Sequence, residues 1–268
     1  MAIEGPVFKD KGSFLIAGRG SYKHLFFKLS EELKDNVLYF YDLNLKSNYE
    51  INENNRLYLS GYFGRDVFKF GKSFSNSYGN SSGNVRWNHI FNEKLFSNLS
   101  LIYSKYDYQL GINALEFDWN ANINNFNFKY DLQYYANDKL NVDFGISGIY
   151  YNFNPGEISP TSETSSINFF KLDKKKAFEG GAYVNAEQKI STRFNLQYGL
   201  RFSYFSRLGG EPLTVYKNDQ PVVYNEKMRI YESGTPIGQE EYIKGESMKP
   251  LITLTTLALS FQLNEYHH

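Results

Sequence analysis

Residues 115–151 carry the pattern that most restricts the fold of this chain, a long apolar/polar alternation broken by one short turn. Apolar side chains occupy every second position before and after Asn137-Asp138: Phe126, Phe128, Tyr130, Leu132 and Tyr134, then Leu140, Val142, Phe144 and Ile146. Period two over about ten residues on each side of a turn predicts an antiparallel hairpin with one apolar face. A membrane-spanning strand needs about 9 to 11 residues, whereas strands of soluble domains cluster near 5 or 6. The pattern therefore favours strands that cross a bilayer.

The composition agrees with a membrane barrel. The 268 residues include 23 Tyr and 23 Phe, and aromatic side chains form the girdles at both interfaces of such barrels. The mean hydropathy is −0.51, which is compatible because each strand averages a lipid face with a watery lumen face. The absence of Cys excludes disulfides and thiolate metal sites. Equal numbers of basic and acidic residues, 29 of each, give no sign of a nucleic-acid partner.

The alternation assigns side chains to two predicted environments, lipid and lumen. Charged residues of both signs in succession on one face suit a water-filled lumen better than a packed core, where each would need a partner. The predicted lipid-facing residues are Phe126, Phe128, Tyr130, Leu132, Val142, Phe144, Ile146, Leu196, Leu200 and Phe202. The predicted lumen-facing residues are Asp42, Lys46, Glu50, Glu116, Asp118, Lys129, Asp131 and Arg201.

One irregularity interrupts the pattern at Asn124-Asn125, where the apolar parity slips by one residue. We interpret the slip as a β-bulge in one long strand, with a separate turn as the alternative. Short turns are predicted after Ile51, Phe91, Ala136 and Ile190. Segments rich in Gly, Ser, Asn and Pro predict loops at 71–84, 154–175 and 209–248.

These elements predict an all-β fold, an antiparallel up-and-down transmembrane β-barrel of about ten strands, as a single domain over residues 1–268. Such a chain either closes by pairing the strand near Phe14 with the strand near Leu259, or leaves open edges that aggregate. The opening segment lacks the pattern of a secretory signal, which an exported protein needs. We therefore expect that the signal was removed or that the chain is a piece of a longer protein.

Several segments resemble the barrel of a Bacteroidetes-type TonB-dependent receptor. They are NVLYFYDLNLKSNYEINENNRLYLSGYFGRDVF, VRWNHIFNEKLFSNLSLIYSKYDY, FKYDLQYYAND and LQYGLRFSYFS, and together they span most of residues 12–248. The resemblance implies a bacterial outer-membrane barrel of about 22 strands with a plugged lumen. A plug, a TonB box and the terminal aromatic strand signal are not among the matching segments, so the chain corresponds to a partial barrel and TonB is a partner only if a plug and its box exist elsewhere.

The resemblance implies nutrient uptake, with loops 154–175 and 209–248 as the candidate ligand-binding region. The expected partners are outer-membrane lipid and a nutrient, which could be a sugar, a peptide or a chelate. The alternative is a non-transporting structural or interaction module, a barrel or curved sheet left by loss of the plug and the remaining strands.

No residue pattern predicts an enzyme, a cofactor or a metal site. His24 and His89 lie on different predicted strands, and neither has a further ligand at metal-binding spacing. Glu116 and Asp118 resemble a glycosidase pair only in residue type, because residues two apart on one strand point the same way.

Overall fold

The computed structural model describes residues 1–9, 11–22, 24–192, 194–209, 213–240, 247–256 and 260–263. Its main feature is a 13-stranded antiparallel sheet in which neighbours along the chain are neighbours in space, which confirms the all-β up-and-down fold. The path is β1-β2-β3-β4-β5-β6-β7-β8-β10-β11-β16, with β9 beside β8 and β17 beside β11. The first eight strands are β1 (Ala2–Val7), β2 (Gly12–Gly20), β3 (Val37–Asn52), β4 (Asn55–Phe70), β5 (Phe74–Asn92), β6 (Leu95–Ile112), β7 (Phe117–Asn137) and β8 (Leu140–Pro160).

The second part of the chain has more varied elements. Its strands are β9 (Phe170–Lys171), β10 (Lys175–Lys189), β11 (Phe194–Leu208), β12 (Leu213–Tyr216), β13 (Val222–Asn225), β14 (Ile230–Ser233), β15 (Pro236–Glu240), β16 (Ser247–Thr256) and β17 (Ser260–Leu263). The helices are α1 (His24–Phe27) and the 3-10 turns Asn113–Leu115 and Lys217–Asp219. None of the described helices is both long enough and apolar enough to cross a membrane.

Three of the predicted short turns use the same device, an asparagine whose side chain accepts amide hydrogens of the turn. The Oδ1 atoms of Asn52 and Asn137 each accept one backbone N–H, at 3.1 and 2.9 Å, and Asn92 accepts two, at 2.9 and 3.0 Å. A register shift lies just before each of these asparagines. Each turn therefore combines an Asx hydrogen bond with a bulge that sets the pairing of the hairpin. We call this end of the sheet the turn edge and the opposite end the loop edge.

Two predicted loops are partly strand. The segment 71–84 was expected to be a loop, but β5 begins at Phe74 and pairs on both sides along its length. Its Gly, Ser and Asn residues have low strand propensity, which pairing with β4 and β6 overrides. The predicted loop 154–175 is shorter, because β8 continues to Pro160 and β10 begins at Lys175.

The predicted loop 209–248 contains two small antiparallel pairs in its described part. β12 pairs with β15, and β13 pairs with β14. After this connection, β16 begins at Ser247. This connection is thus a folded extension of the loop edge rather than an irregular coil.

The described sheet is open, with β1 and β16 at its edges. Of the two predicted outcomes, closure through the strand near Phe14 is not seen among the described residues, because β2 pairs with β1 and β3. Leu259, the other predicted partner, lies outside those residues. The sequence reasoning missed β1. All pairings are antiparallel, so the two edge strands of this eleven-strand path run in the same direction. Joining β1 to β16 would create a parallel seam in an otherwise antiparallel barrel.

Candidate functional site

The pairing of β7 with β8 shows which side chains share a face, because directly paired residues point to the same side of a sheet. Leu132 pairs with Phe144, and the pairing continues through Val184 of β10 to Leu200 of β11. All ten residues of the predicted lipid-facing set lie on this side, which we call the stripe face: Phe126, Phe128, Tyr130, Leu132, Val142, Phe144, Ile146, Leu196, Leu200 and Phe202.

The opposite side, which we call the polar face, carries six of the eight predicted lumen residues. Lys46 is linked to Asn127 by successive pairings through Ser60, Asn84 and Ile102. The six residues that share this face are Asp42, Lys46, Glu50, Lys129, Asp131 and Arg201.

The expectation for Asp118 is wrong because the predicted bulge at Asn124-Asn125 is absent. Both asparagines pair in unbroken register with β6 and with β8, and the irregularity of β7 against β8 lies at Asn120/Asn122 instead. Side chains of β7 therefore alternate between the two faces without interruption from Phe126 back to Asp118, and Asp118 lies on the stripe face.

Glu116 also departs from the prediction, since it precedes β7. Its backbone is left-handed, with a φ of 52°, and its carboxylate accepts hydrogen bonds from Ser162 at 2.7 Å and Thr164 at 3.1 Å. Glu116 thus anchors the connection after β8, and the two carboxyl groups do not form a catalytic pair on one strand.

Most apolar side chains on the stripe face lie in a band next to the turn edge, and Tyr39, Val67 and Leu208 are exceptions nearer the loop edge. The band covers about nine residues on six strands, at 41–49, 95–103, 126–134, 142–150, 178–186 and 196–204. With a rise of about 3.3 Å per residue and a tilt of about 40°, nine residues span about 23 Å. An outer-membrane barrel has an outward apolar band about 25 Å tall, so the band has the height of a bilayer core.

Between this band and the loop edge, β6 and β7 carry their apolar side chains on the polar face instead. On β6 the apolar side chains move from Tyr103 on the stripe face to Tyr106 and Tyr108 on the polar face. On β7 they move from Phe126 to Ile123 in the same way. This exchange of faces produces the parity slip in the sequence. No extra residue is needed, because the side of the sheet that favours apolar residues changes with height.

Polar-face residues within the band bond mainly to one another. Tyr183 donates to Asp131 at 2.6 Å, and Lys129 approaches the same carboxylate at 2.9 Å. Gly145 lies between Asp131 and Tyr183 in the pairing, and it leaves the space through which the tyrosine crosses β8. Sequence reasoning missed Tyr183, for which the only signal was its parity.

A second ion pair lies on the polar face, between β2 and β3. Arg19 donates to Asp42 at 2.5 Å and lies over the ring of Phe40 at 5.7 Å, while Asp42 is only 8% exposed. A carboxylate this buried requires such a partner. The charges of this face therefore neutralise one another locally.

The polar face near the loop edge presents an aromatic surface, which we call the aromatic wall. It consists of Phe40, Phe68, Tyr106, Tyr108, Trp119 and Phe153. Tyr108 and Trp119 meet edge to face at 6.1 Å, and the Trp119 ring covers Gly156, where a Cβ would lie 2.3 Å from the indole nitrogen. Sequence reasoning missed this wall, although the parity slip marked its lower limit.

A group of asparagines borders the wall on its turn-edge side. The Oδ1 atoms of Asn84, Asn125 and Asn127 are buried without a hydrogen-bond partner in the described part of the chain. Buried acceptors of this kind are normally satisfied by protein, water or a ligand. Stacking surfaces and free acceptors together suit a small polar molecule with a flat ring. No cluster of metal-ligating side chains occurs among the described residues.

No protein-family model matches the sequence, and no curated protein matches it significantly. Solved structures do match in fold. The copper transporter OprC aligns with 91% of this chain at a TM-score of 0.60 and 9% identity. BauA, the ferric preacinetobactin receptor of Acinetobacter baumannii, aligns with 77% at 0.57 and 10% identity. The open form of Fiu, a ferric-catecholate import receptor of E. coli K12, aligns with 97% at 0.55 and 11% identity.

The chain spans only 37%, 39% and 49% of those three proteins. At such low identity the likeness concerns the fold alone. These neighbours are TonB-dependent receptors, and the described sheet is therefore similar to part of the barrel wall of such a receptor.

Proposed function

We propose that this chain forms part of the barrel wall of a TonB-dependent outer-membrane receptor for nutrient uptake, of the Bacteroidetes type. The stripe face meets lipid, and the polar face lines the lumen. The exchange of faces at the top of the band carries the proposal, because a soluble sheet has no reason to move its apolar side chains to the other side at one height. The height of the band, about 23 Å, supports the same conclusion.

In this proposal the aromatic wall contacts the nutrient. The wall and the unsatisfied asparagines would hold a molecule with a flat face and hydrogen-bond donors, such as a sugar ring or an aromatic chelate. The names of BauA and Fiu, which are receptors for ferric chelates, favour the chelate. The hairpins of 213–240 extend the loop edge and would cover the ligand from outside, as loops on rigid scaffolds do.

Closure of the barrel requires further strands. Bacterial single-chain outer-membrane barrels have even strand numbers, and an antiparallel seam on each side of an eleven-strand path requires an odd number of additional strands. We propose that a longer chain supplies them, together with any plug and TonB box.

The alternative proposal is a non-transporting module, which the open edges of the described sheet favour. It makes a different prediction for extraction from cells, since a membrane-embedded sheet requires detergent and a soluble module does not.

Single cysteines test the topology, because the protein contains no cysteine of its own. Lys227 lies between β13 and β14, and Asp138 lies in the turn after β7; both are exposed. We expect a membrane-impermeant maleimide to label Lys227→Cys in intact cells and to label Asp138→Cys only after permeabilisation. Labelling of Asp138→Cys alone in intact cells would reverse the topology. Labelling of neither, with both variants in the detergent-free soluble fraction, would favour the alternative.

A further inference from the structure

The stripe face contains an apolar groove at the upper end of the band. The groove has a volume of about 750 Å³ and is formed by β5, β6, β7 and β8, with Phe178 of β10 at one side. Gly148 forms part of its floor, where it pairs with Gly180 on one side and Phe128 on the other. Because both glycines lack side chains, the ring of Phe178 lies close to the sheet here, 3.4 Å from the Cβ position of Gly148 and 3.1 Å from that of Gly180.

Polar side chains follow directly above the groove. The end of the groove that lies toward the loop edge is lined by an aromatic residue on each of four strands. Two positions further toward the loop edge on each of these strands, the stripe-face residue is a lysine or an asparagine. The four rim residues and their successors are Tyr103 and Lys105, Phe126 and Asn124, Tyr150 and Asn152, and Phe178 and Lys176.

Asn152 and Lys176 are the pair best placed to bind a ligand. Asn152 pairs directly with Lys176, and its Oδ1 is buried without a partner in the described residues. Within that part of the chain the Lys176 side chain forms no ion pair. Lys105 is less available, because it is bound to Asp107 at 2.8 Å. Glu157 of the same strand as Asn152 is bound to Lys171.

We infer that this groove binds one lipid whose headgroup carries phosphate and hydroxyl groups. An acyl chain fills the groove, the phosphate contacts Lys176, and a headgroup hydroxyl donates to Asn152. The positive charge of Lys176 favours an anionic headgroup. Lys105 and Lys176 lie next to the loop-edge end of the apolar band, where lipid headgroups lie, and this position favours a lipid over a soluble anion. The inference rests on the proposed function, since it requires the stripe face to meet a bilayer.

The test uses the full chain in nanodiscs of phosphatidylcholine that contain a minor fraction of phosphatidylglycerol. Native mass spectrometry measures the ratio of the two lipids retained after extraction. We expect phosphatidylglycerol to be enriched in the unchanged protein and Lys176→Ala to reduce the enrichment about fivefold. Lys105→Ala should reduce it less because of Asp107, and Gly148→Leu should lower retention of both lipids.

Lys189→Ala is the matched control, since it removes a lysine from the same strand at the turn edge. Equal enrichment in the unchanged protein and Lys176→Ala, or equal losses in Lys176→Ala and Lys189→Ala, would overturn the inference. If free glycerol phosphate competed at a concentration equal to that of the lipid, the site would be one for soluble anions, and this result would also overturn the inference. Insertion without any preference contradicts the lipid site only, whereas failure to insert into phosphatidylcholine contradicts the proposed function.

Discussion

Replacing Leu132 or Phe144 by arginine should lower the free energy of unfolding in a bilayer by about 2 to 4 kcal/mol. The two residues are directly paired near the middle of the apolar band, and an arginine there would have to bring its charge into hydrocarbon. Urea titration of the protein folded in vesicles measures the change as a shift of the unfolding midpoint.

Gln133→Arg is the control for this prediction, because Gln133 is the neighbour of Leu132 on the opposite, polar face and is exposed. Its substitution should cost much less than that of Leu132. Asp131 is less suitable, since Tyr183 and Lys129 both bind its carboxylate. Similar losses for Leu132→Arg and Gln133→Arg would show that the two faces do not differ in their contact with lipid.

The second large effect is expected at Gly145. A Cβ at this position would lie 2.6 Å from the backbone oxygen of Tyr130 and 3.0 Å from the Tyr183 ring. Gly145→Ala must therefore displace the backbone of β7 or the tyrosine, at a cost of about 1 to 3 kcal/mol in unfolding free energy. The same substitution should also weaken the hydrogen bond from Tyr183 to Asp131.

Two further variants isolate the cause. Gly83→Ala lies on β5, where nothing is within 4 Å of the added Cβ, and it should be close to neutral. Tyr183→Phe removes only the hydrogen bond to a charged acceptor, which is worth about 1.5 to 3 kcal/mol. If Gly145→Ala were as mild as Gly83→Ala, the tyrosine would not cross β8 as described.

The hairpins could be predicted from sequence because their signal is local. Alternation on both sides of Asn137 requires only a period and a turn, and the structure confirms β7 and β8. The same reasoning failed for β5, whose Gly, Ser and Asn residues form a strand only because β4 and β6 pair with it. It also missed β1, which is short and carries little alternation.

The candidate site was harder to predict, because its key feature depends on height along the barrel. A change of apolar parity at Asn124-Asn125 has two local explanations, a bulge or an exchange of faces, and the residues of β7 alone do not distinguish them. Only the register with β6 and β8 does, and it moves Asp118 to the stripe face. The aromatic wall and the Tyr183–Asp131 contact likewise depend on pairings between strands.

A spin-label scan along β7 tests the central claim most directly, with single cysteines placed in turn at 117–137 of the chain in a bilayer. The accessibility of each spin label to oxygen, which dissolves in lipid, is compared with its accessibility to a water-soluble nickel chelate. Labels that are more accessible to oxygen face hydrocarbon. We expect lipid contact at even positions from 126 to 134 and none at any position from 117 to 124. Lipid contact at odd positions from 117 to 123 would indicate a bulge at Asn124-Asn125. Lipid contact at even positions down to 118 would show that the apolar side chains do not change faces. Either result would contradict the proposed arrangement of β7.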